Sequence, residues 1–91
     1  MQPALIHITS FIVLAQPEHA ESLAHHINQK QFFKIAMQDL TLGKLILIAE
    51  SDNLPLIENE TNQLRDFHGV QAVTLVYHQA ANTDELMESI L

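Results

Sequence analysis

The sequence predicts one α+β domain in which two helices pack on one face of a four-stranded antiparallel sheet. Four segments rich in β-branched and aromatic residues and two amphipathic segments follow one another in the order β-α-β-β-α-β, and no linker interrupts them. The chain has 91 residues, the length of a single domain. Apolar residues make up 47% of it and charged residues 16%, so the chain has enough apolar surface to form a core.

The first strand and the first helix are predicted from composition and periodicity. Residues His7–Leu14 are rich in β-branched and aromatic types, which indicates a strand. A helix over Pro17–Asn28 follows, with proline in the first turn, where its missing N–H costs nothing. Its apolar positions have the i, i+3, i+4, i+7 spacing of an amphipathic helix and are Ala20, Leu23, Ala24 and Ile27.

A hairpin is predicted next. In Phe32–Asp39 apolar and polar side chains alternate with period two, which is typical of a half-buried strand. The turn at 40–43 contains Gly43, which tolerates a positive φ. The strand Lys44–Glu50 is apolar on both faces, so we expect it in the middle of the sheet.

The second helix and the last strand complete the predicted domain. Ser51, Asp52 and Asn53 are all suitable N-caps, and the helix is expected to end near His68-Gly69. One face of this helix carries Leu54, Ile57, Thr61 and Leu64. Val70–Gln79 is the last strand, so residues 1–79 form the domain. Residues 80–91 form a C-terminal tail with a short helix that carries Leu86, Met87, Ile90 and Leu91.

This order is the split βαβ, or ferredoxin-like, pattern. Right-handed crossovers place both helices on one face of the sheet, with the first and third strands in the middle. The predicted core contains Phe11, Val13, Leu23, Ile27, Ile57, Leu64, Val73 and Leu75. Tyr77 is also expected to point into it. The other sheet face has nothing in the domain sequence to cover it.

The uncovered face is predicted to bind a peptide. If Gln38 pairs with Lys44, then Ile46 and Ile48 lie on this face, although a slip of one residue would reverse the third strand. Lys34 and Gln38 belong to its polar rim. An apolar strip with a polar rim is what a partner segment requires. The predicted peptide-binding residues are Ser10, Ile12, Ile46, Ile48, Glu50, Thr74, Val76 and His78.

Composition excludes several functions. Eleven acidic and four basic residues give a net charge of −7, which argues against nucleic acid and an anionic membrane and suits a basic partner. The absence of cysteine rules out disulfides, thiolate ligands and a thiol nucleophile. The six histidines lack metal-ligand spacing, and no nucleotide or hydrolase motif is present. We therefore expect no metal, no cofactor and no catalytic residue.

The location is expected to be cytoplasmic. The segment at 1–10 has no Lys or Arg before its first apolar stretch, so it does not look like a secretory signal. The longest apolar runs are too short to span a bilayer, and no membrane insertion is expected.

Three segments carry a resemblance to a known family. The strand at Gly69–Gln79 ends in L-V-Y-H-Q, and with Thr9–Ala15 and Gly43–Glu50 it resembles the NapD family, over about residues 7–79. The resemblance implies a ferredoxin-like fold and no enzymatic activity. It implies a cytoplasmic chaperone that binds the twin-arginine signal peptide of the catalytic subunit of the periplasmic nitrate reductase. Binding would delay export until the molybdenum cofactor is inserted.

Two alternatives use the same fold. Ferredoxin-like domains also serve as small-ligand regulatory modules that dimerise through their sheets, and the fold does not separate these functions. A weak homo-oligomer formed through the uncovered face is the second alternative.

Overall fold

The computed structural model describes residues 5–82, and the helix predicted within the tail lies outside this range. Its elements follow the predicted order. They are β1 (Leu5–Ala15), α1 (Pro17–Lys30), β2 (Phe33–Asp39), β3 (Lys44–Ser51), α2 (Leu54–Arg65) and β4 (Val70–Asn82). β4 therefore continues three residues beyond the predicted strand, across the boundary drawn between domain and tail.

The described strands form one antiparallel sheet in the order β2-β3-β1-β4. β1 and β3 lie in the middle, as predicted. Both helices pack on one face of this sheet, which we call the helix face. The predicted α+β, ferredoxin-like fold is confirmed.

Local chemistry explains where the helices begin and end. Pro17 opens α1, and Gln31 closes it in the left-handed conformation with φ 59°. The side chain of Asn53 caps α2 by accepting a hydrogen bond from the Leu56 N–H at 3.1 Å. α2 ends at Arg65, before the predicted stop, because tight turn bonds such as that from the Phe67 N–H to the Leu64 carbonyl replace the helical pattern.

The core lies between the helices and the sheet. Seven of the eight predicted members are buried, and they are Phe11, Val13, Leu23, Ile27, Ile57, Leu64 and Val73. The prediction for Leu75 is wrong, because its side chain is 52% exposed. Leu75 pairs with Phe11 on the helix face but lies at the sheet edge, where the helices do not cover it fully.

A β-bulge interrupts the pairing of β2 with β3. Ile35 pairs with Leu47 and Met37 pairs with Ile46, so Ala36 is an extra residue without a partner. Before the bulge the predicted register holds. After it the register shifts by one residue, which reverses the side of the sheet that each later side chain of β2 occupies.

The first bulge reverses the sides of the sheet on which Met37 and Gln38 lie. Residues directly opposite in an antiparallel pair lie on the same face. Met37 therefore lies beside Ile46 on the face away from the helices, where it is 64% exposed. Gln38 is opposite the buried Leu45 and lies on the helix face. The prediction that Gln38 faces away from the helices is wrong.

A second bulge interrupts the pairing of β1 with β4. Phe11 pairs with Leu75 and Ser10 with Tyr77, so Val76 is the extra residue. Tyr77 thus lies beside Ser10 on the face away from the helices, and its prediction as a core residue is wrong. His78 pairs with the buried Thr9 on the helix face, so its placement on the uncovered face is also wrong.

Candidate functional site

The sheet face opposite the helices, called here the open face, is the candidate site. Its side chains alternate along β1 and β3 with those buried under the helices. The described members are Ile6, Ile8, Ser10, Ile12, Leu14, Lys34, Met37, Asp39, Lys44, Ile46, Ile48, Glu50, Ala72, Thr74, Tyr77 and Gln79.

An apolar strip runs along the middle of the open face. Ser10 pairs with Ile48 and Ile12 pairs with Ile46, so these side chains form a continuous block on the two central strands. Each of the three isoleucines is only half-buried. Burying such a strip against another apolar segment contributes about 25 cal/mol per Å² before the cost of ordering the partner.

The structure brings most of the predicted site residues together. Those on the open face are Ser10, Ile12, Ile46, Ile48, Glu50 and Thr74. Thr74 extends the strip to β4 because it pairs with Ile12. Val76 is exposed at the bulge. His78 lies on the other side of the sheet.

Two large side chains of this surface were not among the predicted residues. Met37 and Tyr77 both lie on the open face because a bulge precedes each of them. The Tyr77 hydroxyl donates a hydrogen bond to Oε1 of Gln79 at 2.8 Å. Regular alternation assigns both residues to the core, and no local signal in the sequence marks either bulge.

Two shallow depressions lie at opposite ends of the open face. One, of about 280 Å³, lies at the edge near the start of β2, and its lining includes Phe32, Ile48 and Glu50. The other, of about 170 Å³, lies beside the β2–β3 turn, and its lining includes Met37 and Leu42. Each is large enough for part of one side chain of a bound segment.

The charges of the open face nearly balance. Lys34 and Lys44 oppose Asp39 and Glu50. Most other described acidic residues lie on the helices or the loops, as Glu18 and Glu58 do on α1 and α2. The net charge of −7 therefore belongs to the molecule as a whole rather than to this face.

A second concave surface lies on the helix face between α2 and the β1–β4 pair. This groove has a volume of about 420 Å³ and is lined by Thr9, Phe11, Leu54, Ile57, Glu58, Thr61, Asn62, Arg65, Leu75 and His78. Its polar groups are partly engaged within the fold. Arg65 donates to the Val73 carbonyl and to Oδ1 of Asn62, at 3.2 and 2.8 Å.

His78 is held at the end of this groove by a second histidine. Its Nε2 lies 3.1 Å from Nδ1 of His7. The ring centres are 5.3 Å apart and the planes differ by 20°, so the rings meet edge to edge in nearly one plane. One of these nitrogens must donate its hydrogen and the other must accept with its lone pair, which leaves neither nitrogen free to bind a metal.

The described residues offer little for metal chemistry or membrane insertion. Within residues 5–82 no three His, Cys, Asp or Glu side chains are grouped closely enough to hold a metal ion. Neither α1 nor α2 has the length and apolar character needed to cross a membrane. The open face presents an apolar strip with isolated polar groups, an arrangement that can bind a segment of another chain.

Comparison with known proteins gives a consistent result. Residues 6–82 match the family described as NapD, NapD protein. A relative from Escherichia coli K12, "Chaperone NapD", is 28% identical over 78 residues, which cover 86% of this chain and 90% of the relative. "Chaperone NapD" of Haemophilus influenzae is 26% identical over 73 residues, which cover 80% of this chain and 78% of the relative.

A solved structure shares the fold. The "Solution structure of the E. coli Tat proofreading chaperone protein NapD" superposes with a TM-score of 0.72 at 27% identity, covering 86% of this chain and 82% of the other. The matched range ends where β4 ends, and the segment at 83–91 lies beyond it.

Proposed function

This chain belongs to the NapD family, whose curated relatives are named chaperones, and from this premise we propose that its open face binds a twin-arginine signal peptide. The peptide is that of the catalytic subunit of the periplasmic nitrate reductase. Binding takes place in the cytoplasm and delays export until the molybdenum cofactor is in place.

The observation that carries the proposal is the apolar strip. Ile12, Ile46 and Ile48 lie side by side on an uncovered sheet face, half-exposed to water. A twin-arginine signal peptide has an apolar segment after its arginines. When the apolar segment of the peptide covers the apolar strip, both surfaces are removed from water, and this supplies the favourable free energy of binding.

The mechanism needs no catalytic group. A peptide held on the open face is unavailable to the export machinery, so export is delayed in proportion to the fraction bound. The named chaperones of the family support a role without enzymatic activity. The acidic molecule as a whole attracts a cationic peptide, which mainly accelerates association.

A calorimetric titration tests this proposal. In it, a synthetic twin-arginine peptide is added to the purified chain. We expect saturable binding by the wild-type chain. Ile48→Glu should weaken it by tenfold or more, because the new carboxylate would be buried without a partner under the peptide; removing a partner from a buried charge costs about 3–5 kcal/mol.

Leu75→Glu is the matched control. Leu75 is an apolar residue of the same sheet and is more exposed than the half-buried isoleucines of the strip, but it lies on the helix face and lines the groove beside α2. If the open face is the site, Leu75→Glu binds like the wild type. A loss of affinity in Leu75→Glu with none in Ile48→Glu would move the site to the groove.

A small-ligand regulatory module that dimerises through its sheet is the second candidate, since the same apolar strip could meet a second copy. Analytical ultracentrifugation distinguishes the two. A stable dimer that Ile48→Glu dissociates, together with no affinity for the peptide, would favour the regulatory module.

A further inference from the structure

We infer that the open face has a direction: the two arginines bind at the end formed by Glu50 and Tyr77, and the apolar segment runs toward Met37 and Leu42. This inference rests on the proposed function and adds which residues of the chain recognise which part of the peptide.

Charge along the face supplies the first argument. Glu50 is the penultimate residue of β3, at one end of the open face, and Asp52 follows the strand in the loop. The Glu50 carboxylate is exposed and takes part in no ion pair among residues 5–82. Lys34 lines the same depression as Glu50. At the opposite end, beside the β2–β3 turn, Lys44 faces Asp39, whose Oδ1 already accepts a hydrogen bond from the Leu42 N–H. The first end therefore has two carboxylates, those of Glu50 and Asp52, for one ammonium group, whereas the second has one of each, so guanidinium groups are attracted more strongly to the first end.

Tyr77 supplies the second argument. The bulge at Val76 places its ring on the open face, where it is 53% exposed, and its hydroxyl is held by Gln79. A guanidinium group stacks favourably on an aromatic face, and it does so more readily than an ammonium group. Tyr77 thus gives this end a preference for arginine over lysine.

The spacing of the two groups fits a pair of arginines. Tyr77 pairs with Ser10 in one row, while Glu50 pairs with Ile8 in the next row. They lie on strands on either side of β1, so about 10 Å separates them across the sheet. Consecutive arginine side chains diverge from their backbone on long stems, and two separate sites suit them better than one.

The other end is suited to apolar side chains. The depression of about 170 Å³ beside the turn is lined in part by Met37, Leu42 and Ile46. Met37 and Leu42 are among the most exposed apolar side chains of the described range, at 64% and 69%. A flexible methionine adapts to differently shaped apolar partners.

A double-substitution cycle tests the role of Tyr77. Affinities of the wild-type chain and of Tyr77→Leu are measured by calorimetry for the natural peptide and for one with both arginines changed to lysine. We expect the wild type to prefer arginine by roughly fivefold or more, and Tyr77→Leu to lose most of this preference. Tyr77→Phe keeps the ring and should keep the preference.

An unchanged preference in Tyr77→Leu, with both peptides still bound, overturns the inference and leaves the proposed function intact. Failure of the wild-type chain to bind the natural peptide overturns the proposed function, and the inference with it.

Two charge variants should act in opposite directions. Glu50→Gln removes the attraction for a guanidinium group and should weaken binding of the arginine peptide. Lys34→Gln removes a cation that lines the same depression as Glu50, and it should strengthen binding. Equal effects of the two variants, or reversed ones, contradict the placement of the arginines.

The direction can be measured directly because the chain contains no cysteine. A spin label on Thr41→Cys, an exposed turn position next to Leu42, should broaden the NMR signals of the apolar segment of a bound, isotope-labelled peptide. The arginine signals should be affected much less. The reverse pattern shows the opposite direction and overturns the inference.

Discussion

One extra residue in a strand decides what the open face presents to a partner. The bulges at Ala36 and Val76 each switch the following side chains to the other side of the sheet. As a result Met37 and Tyr77 lie on the open face, and His78 lies on the helix face. Bulges often re-aim side chains near functional sites. Here they add one flexible apolar side chain and one aromatic ring beside a central strip made of isoleucine, serine and threonine.

Gly43 is the residue at which a single methyl group should do the most damage. Its φ is +72°, and a Cβ there would lie 1.9 Å from the carbonyl oxygen of Ala15. The Ala15 N–H also donates to the Gly43 carbonyl at 2.7 Å, so the two backbones cannot separate freely. Gly43→Ala should lower the free energy of unfolding by about 3 kcal/mol, measured by urea denaturation.

Gln31→Gly is the control of opposite sign. Gln31 has φ 59° without being glycine, and glycine adopts this conformation at no steric cost. The variant should be about 0.5 kcal/mol more stable than the wild type. If Gly43→Ala left the free energy of unfolding unchanged, the turn would not lie against β1.

Among the elements, α2 is attached to the sheet by a narrow stripe of side chains. Ile57, Thr61 and Leu64 are its buried residues, while most of the remaining helix surface is polar and exposed. The Thr61 hydroxyl donates to the Ile57 carbonyl at 2.7 Å, so its burial leaves no unpaired donor. Helix stability in such a small domain comes mainly from this packing.

Leu64→Ala and Leu56→Ala form a matched pair on α2. Leu64 is 4% exposed and Leu56 is 38% exposed. Leu64→Ala should cost about 2–5 kcal/mol of unfolding free energy, because it leaves a cavity against the sheet. Leu56→Ala should cost less than 1 kcal/mol. Similar values in denaturant unfolding would show that α2 is rotated about its axis.

For the whole molecule, charge and apolar surface are separated. The open face is nearly neutral, whereas the helices and loops carry most of the described acidic side chains. Long-range attraction of a cationic peptide and short-range binding to the strip are therefore contributed by different parts of the molecule.

Salt should therefore act mainly on the rate of association with the peptide. Exposed charges are screened over about 10 Å at 0.1 M salt. Stopped-flow measurements at increasing salt should show slower association, while dissociation, which depends on the apolar contacts, changes little. Acceleration of dissociation with unchanged association would indicate that ion pairs rather than the strip hold the peptide.

Part of the candidate site could be predicted because its physical cause is local. Alternation along β1 assigns Ser10 and Ile12 to the face opposite Phe11 and Val13, and this holds wherever β1 is paired. β3 was ambiguous because it is apolar on both faces. Its pairing with β1 resolves the ambiguity by placing Ile46 opposite Ile12.

The sequence by itself determined the order of the elements, the buried faces of both helices and nearly all of the core, because helical and strand periodicity are properties of each segment alone. Only the tertiary structure decided the sides of Met37, Gln38, Tyr77 and His78. The position of a bulge depends on how two strands that are distant in sequence pair with each other, and not on the residue pattern of either strand alone.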